Sequence, residues 1–176
     1  GIENFYKKID STLRGNVGVE IIAMLEALQK EAAIIAPAYV EEGRITVGGY
    51  QLLINIPIER TQCALDPKSP IYESYIPDIL KKDLNSKFAD LIDVIGLKTV
   101  TKGAGPITLK IKELVQKGKT LIVMDAASST DLEQIALAID KSGYNLLPCG
   151  SAGLANAFNK IIDMDTKERH IQHIPS

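Results

Sequence analysis

The chain has 176 residues, enough for one domain that buries a core without disulfide or metal support. Its 20 lysines and arginines nearly balance 22 aspartates and glutamates, which removes the electrostatic case for nucleic acid or an anionic membrane as partner. Aromatic residues are few and tryptophan is absent, which argues further against base stacking.

Residues 2–9 read as a short first strand ending at Asp10. Asn16 is a candidate helix N-cap, because its side-chain oxygen can accept from an N–H of the first turn. Val17, Ile21, Met24, Leu25 and Leu28 then fall on one helical face. Ala33-Ile34-Ile35-Ala36, stopped by Pro37, predicts a buried parallel strand. Glu41-Glu42-Gly43-Arg44 is a polar turn. Residues 45–53 predict a strand or hairpin interrupted by Gly48-Gly49, a pair that permits positive φ. Ile56-Pro57-Ile58 is extended. Residues 61–70 form a loop marked by Asp66-Pro67 and Ser69-Pro70. A short helix is expected over 77–82.

Regular alternation follows. Residues 91–97 and 121–124 predict strands, the second running into Asp125. Ile107, Ile111, Leu114 and Val115 make a helix face between them. Thr130 and Glu133 have capping-box spacing for a helix carrying Leu132, Ile135, Ala136 and Ile139. A last strand is expected over 145–147. Gly150-Ser151-Ala152-Gly153 then opens a helix with Leu154, Phe158, Ile161 and Ile162 inward. Such a series predicts an α/β fold: a three-layer domain with a mostly parallel sheet and helices on both faces. The domain is expected over 1–162, with 163–176, including His170 and His173, a polar linker or tail. In a sheet of this kind the ligand lies beyond the carboxyl ends of the strands, where Asp10, Pro37, Asp125 and Gly150 fall.

The densest polar stretch is Lys7-Lys8-Ile9-Asp10-Ser11-Thr12-Leu13-Arg14-Gly15-Asn16, at a strand-to-helix junction. Helix-start N–H groups and the dipole favour an anion there, and an arginine fork suits a carboxylate. The plainer reading has Asp10, Ser11 and Thr12 making turn bonds and Arg14 pairing with a nearby carboxylate. Arg44 with Thr46 and Gly48-Gly49 is a second candidate wall, or an ordinary hairpin. Gly150-Ser151-Ala152-Gly153 could cradle phosphate through backbone N–H groups, or be a small-residue helix start packed close to the sheet. Asp125 could bind a hydroxyl, accept a proton or cap the following turn. Cys63 and Cys149 show no zinc-type spacing and read as core fillers in a reducing cytoplasm. No apolar run reaches membrane-span length, and no secretory segment opens the chain. The chain begins with Gly1 and enters its first strand at once, so further material is expected upstream.

These stretches together resemble the four-carbon acid sugar kinase family, in its N-terminal substrate-binding domain. The likeness runs through Lys7 to Asn16, Ala36-Pro37-Ala38, Gly43-Arg44-Ile45-Thr46-Val47-Gly48-Gly49-Tyr50, Asp66-Pro67-Lys68-Ser69-Pro70-Ile71-Tyr72-Glu73-Ser74, Asp125-Ala126 and Gly150-Ser151-Ala152-Gly153-Leu154. The resemblance implies an ATP-dependent kinase acting on a hydroxyl of a threonate, erythronate or 3-oxo-tetronate type acid. It implies Mg2+ with the ATP, and a C-terminal domain, absent here, holding most of the nucleotide. The family's acidic Asp-Asp-x-Thr-Gly-Ala opening is also absent, so this segment alone is expected to be inactive.

On this reading Arg14 and Lys8 meet the substrate carboxylate or the phosphate charge. Ser11, Asn16, Arg44 and Tyr50 orient hydroxyls beside Gly48 and Gly49, and Asp10 is the candidate proton acceptor. Ser151, with the N–H groups of Gly150 and Gly153, would touch ATP. A homodimer is compatible with all of this. Two other readings stand beside the kinase: a non-catalytic sugar-acid sensor, and a structural α/β domain whose polar cluster pairs with itself.

Overall fold

The structure is a computed structural model describing residues 5–82, 84 and 86–171. The elements in chain order begin with β1 (Lys7–Lys8), α1 (Val17–Ala27), β2 (Ala32–Ala36), β3 (Arg44–Val47), β4 (Tyr50–Leu53) and β5 (Ile56–Pro57). They continue with α2 (Ile76–Lys82), β6 (Ile92–Ile95), α3 (Leu97–Val100), α4 (Ala104–Gln116) and β7 (Leu121–Met124). The described residues end with α5 (Ser129–Asp140), β8 (Leu146–Gly150) and α6 (Ala152–Ile171). Five parallel strands lie in the order β1-β8-β2-β7-β6, and β3-β4-β5 make a separate antiparallel sheet.

The strand sequences explain the layers. In β2 and β7 every residue is buried, as a strand covered on both faces requires. Alternate residues point to opposite faces. Ile34, Ala36, Ile122 and Met124 pack with Ile107, Ile111 and Leu114 of α4, Leu132 and Ile135 of α5, and Leu154 of α6. Ala33, Ile35, Leu121, Val123, Leu147 and Cys149 pack with Val17, Ile21 and Leu25 of α1 and with Ile76 and Leu80 of α2. Burying one such side chain stabilises by about 1.5–3 kcal/mol. Packing of these stripes, rather than helix propensity, therefore holds helices this short. The three-layer α/β expectation is met.

Local details differ from the sequence reading. Asn16 occupies the N-cap position of α1, but its side chain makes no capping bond. The capping box of α5 lies two residues earlier than Thr130 and Glu133: Ser128 Oγ accepts from the Asp131 N–H at 3.1 Å, and the Asp131 carboxylate accepts from the Ser128 N–H at 2.9 Å. Aspartate at the third helical position replaces the expected glutamate. Within the described residues the first strand is only Lys7–Lys8, pairing with β8 alone. The backbone of α6 continues through Ile171, into the stretch read as a linker. Gly1 and His173 lie outside the described residues.

Candidate acid-binding site

The first loop beyond the sheet is wound unusually tightly. The Leu13 N–H donates to the Asp10 carbonyl at 2.9 Å, and Leu13 takes φ 61 while its side chain is buried. Left-handed backbone at a bulky residue costs of order 1 kcal/mol and persists only where its surroundings impose it. Burying Leu13 leaves Arg14 on the outside of the turn, its side chain 47% exposed. Arg14 Nε donates to Asp10 Oδ2, which also accepts from Thr12 Oγ1 at 2.8 Å. Arg14 Nη1 donates to Asp66 Oδ2 at 3.1 Å. The other Asp66 oxygen accepts the Lys68 and Ser69 N–H groups, each at 2.9 Å.

Burial pushes the Asp10 carboxyl up, but hydrogen bonds from Arg14 and Thr12 outweigh it, so Asp10 is held below the usual carboxylate range. Asp66 is lowered by the Ser69 and Lys68 N–H groups and by Arg14. Both aspartates raise Arg14 above its ordinary value.

The β3–β4 hairpin is fixed over this end of the sheet. Gly48 and Gly49 turn with φ 62 and 78, the left-handed pair that a two-residue hairpin needs. Their N–H groups donate to Asp125 at 2.7 and 2.8 Å, and the Leu97 N–H adds a third bond at 3.0 Å. Buried Gln51 joins the hairpin to the first loop: Nε2 donates to the Ser11 carbonyl at 2.7 Å, and Oε1 accepts from Thr46 Oγ1 at 2.7 Å.

The structure thus brings together Asp10, Ser11 and Arg14, and Gln51 ties β4 of the hairpin to that loop. Asp125 is the structural clamp of the hairpin turn, so the N–H groups of Gly48 and Gly49 are committed rather than offered to a ligand. Tyr50 is half-exposed, its ring 4.9 Å from that of Tyr75. Lys8 is exposed and donates to the Ile9 carbonyl at 2.8 Å. Arg44 folds back on Glu42, at 3.1 Å to its carbonyl and 3.2 Å to Oε2. Asn16 is exposed.

At Ser151, where a contact with ATP is expected, the hydroxyl is engaged within the fold. Ser151 is buried, its hydroxyl donating to the Ala38 carbonyl at 2.6 Å and accepting from the Gly153 N–H at 3.0 Å. Its own carbonyl accepts from Tyr6 OH at 2.6 Å, and burial pushes the Tyr6 phenol up. The glycines answer to packing. A Cβ on Gly150 would lie 2.6 Å from Tyr6 OH, and one on Gly153 would lie 2.7 Å from the Ala38 carbonyl oxygen. Among the described residues no group of three His, Cys, Asp or Glu side chains could hold a metal ion. Clefts of about 320 and 590 Å³ lie beside Glu133 and Lys160 and beside Tyr6 and Phe158, and neither is lined by Asp10 or Arg14.

Residues 1–158 match the sequence profile of the sugar-binding N-terminal domain. The chain belongs to that family. Over 144 residues this sugar-binding domain is 41% identical to the D-erythronate kinase of Heliobacterium modesticaldum, covering 81% of this chain and 32% of that one. Over 164 residues it is 37% identical to the D-threonate kinase of Salmonella typhimurium, covering 93% and 37%. The chain therefore spans about a third of the length of the curated relatives it matches. Its fold matches the crystal structure of a Haemophilus influenzae protein with TM-score 0.80 and 25% identity, over 90% of this chain and 38% of that one. A Bordetella bronchiseptica domain of unknown function, with bound citrate in a domain-swapped dimer, matches with TM-score 0.72 and 28% identity over 90% and 36%. The resemblance to the N-terminal domain of the four-carbon acid sugar kinases holds.

Three residues of the site escaped the sequence reading. In the sequence Asp66 reads as a turn former and as part of the family-like stretch 66–74, Gln51 as a strand residue and Leu13 as part of the polar motif. The Asp66-Pro67 pair was the one available signal, since an aspartate there can fold its own loop.

Proposed function

We propose that this domain binds the acid in an ATP-dependent kinase that phosphorylates a hydroxyl of a four-carbon sugar acid of the erythronate, threonate or 3-oxo-tetronate class. The observation that carries the reading is Arg14: a half-exposed guanidinium, oriented by Asp10 at the mouth of the sheet, in a chain similar to D-erythronate and D-threonate kinases. A planar fork of this kind takes a carboxylate through two parallel hydrogen bonds. Lys8 supplies a second cation, and Ser11, Asn16 and Tyr50 supply polar groups for the substrate hydroxyls. Arg44 serves the same wall if it leaves Glu42. Asp10 orients Arg14, and its lowered pKa makes it a weak proton acceptor. Catalysis then rests on positioning and charge neutralisation.

Among the described residues no group of three His, Cys, Asp or Glu side chains could hold a metal ion, and the Ser151 hydroxyl is held by internal bonds. In this proposal the nucleotide and its metal are held by the remainder of a longer protein. No helix among the described residues is long and apolar enough to cross a membrane, and two free cysteines fit a reducing cytoplasm. The domain-swapped relative supports a homodimer, which size-exclusion chromatography tests.

The deciding experiment incubates the full-length protein with D-erythronate or D-threonate and ATP–Mg2+, following ADP and the phosphorylated acid. Formation of both is expected. Acid binding without response to ATP–Mg2+ would make the protein a sensor, and no binding of either acid would exclude the substrate class.

A further inference from the structure

Resting on that reading, we propose that Asp66 is an internal competitor at the acid site: it occupies Arg14 as a stand-in for the substrate carboxylate, and the acid binds by exchanging with it. Arg14 carries one positive charge, while Asp10 and Asp66 bring two negative ones. A third carboxylate at the same guanidinium would meet a cluster already negative, and like charges at such range repel. That repulsion favours the release of one aspartate.

The contacts say which. Asp10 is four residues from Arg14, lies in the tight Leu13 turn and is held by Thr12 Oγ1 as well as Arg14 Nε. Asp66 arrives from 52 residues away and reaches only Nη1, at 3.1 Å. Its second oxygen binds the Lys68 and Ser69 N–H groups, so Asp66 leaves together with its own loop. The exchange sets a threshold. Displacing Asp66 costs every carboxylate the same, so a bare carboxylate such as acetate binds little, whereas a sugar acid adds hydroxyl contacts that exceed the cost.

Asp66→Asn removes the competing charge and keeps an amide oxygen for the Lys68 and Ser69 N–H groups, so the loop is preserved. In calorimetry on the full-length protein, this variant should bind D-threonate and acetate about two- to five-fold more tightly, the worth of a partly exposed ion pair. In the unmodified protein, saturating D-threonate should speed hydrogen exchange at the Lys68 and Ser69 amides, which a merely structural Asp66 would not show. Unchanged or weaker binding by Asp66→Asn, or unchanged or slower exchange at those amides, overturns the proposal. Arg14→Ala separates the two levels. If it abolishes acid binding while Asp66→Asn fails to tighten it, only the exchange is wrong. If it leaves binding intact, the acid-site reading fails as well.

Discussion

Asp125 and Asp10 both lie beyond the carboxyl end of a strand of the same sheet, yet their surroundings assign them different work. Asp125 is 1% exposed, and its partners are the backbone N–H groups of Gly48, Gly49 and Leu97. Backbone donors in packed elements cannot be exchanged for a solute without local unfolding. Asp10 is partly exposed, and beside the Thr12 backbone its partners are side chains, one of them the half-exposed Arg14. Those partners can be shared with a ligand or released to it. Position at the strand end makes a residue a candidate; the kind of partner decides whether it holds the fold or meets the substrate.

The contrast can be broken in several ways. Asp125→Ala strands three backbone donors and should destabilise the domain by about 3 kcal/mol or more, read from the urea midpoint. A loss under about 1 kcal/mol would erase the distinction from Asp10. Ser151→Ala removes a helix cap and a bond to the Ala38 carbonyl, at a cost of about 1–2 kcal/mol. Affinity of the full-length protein for ATP–Mg2+ should not change, and a drop would return Ser151 to the phosphate site. The smallest effect is that of acid. Because Asp10 and Asp66 titrate below their ordinary values when folded, their contribution is complete above about pH 4 and is lost as pH falls through those lowered values. The unfolding temperature should decline as pH falls below about 4, and decline less steeply in Asp10→Asn. Identical slopes would mean that the Arg14 cluster adds nothing to stability.

What the sequence disclosed, and what it concealed, follows the range of the interactions. The apolar runs of β2 and β7 were readable because a strand buried on both faces leaves no polar residue between turns. The helix faces of α1, α4 and α5 were readable from period alone. Gly48-Gly49 announced its hairpin because two successive left-handed residues favour glycine. The α5 cap was displaced because Ser128, Ser129 and Thr130 all offer hydroxyls within one turn, and packing selects among them. At the site, Asp10 and Arg14 were legible as neighbours because four residues separate them. Asp66 and Gln51 reach the same loop across 52 and 40 residues, and nothing local in the chain encodes those distances. Gly150 and Gly153 read equally as a phosphate cradle or as close packing because both require small residues, and the positions of Tyr6 and Ala38 show the packing.

The account depends on Arg14 receiving a small carboxylate. Calorimetry of Arg14→Ala in the full-length protein, titrated with D-threonate and D-erythronate, is the most direct test. Binding should weaken by about 1.5–3 kcal/mol, the worth of hydrogen bonds between charged groups. Affinity equal to that of the unmodified protein would contradict the account and leave the Asp10–Arg14–Asp66 cluster as a surface clip.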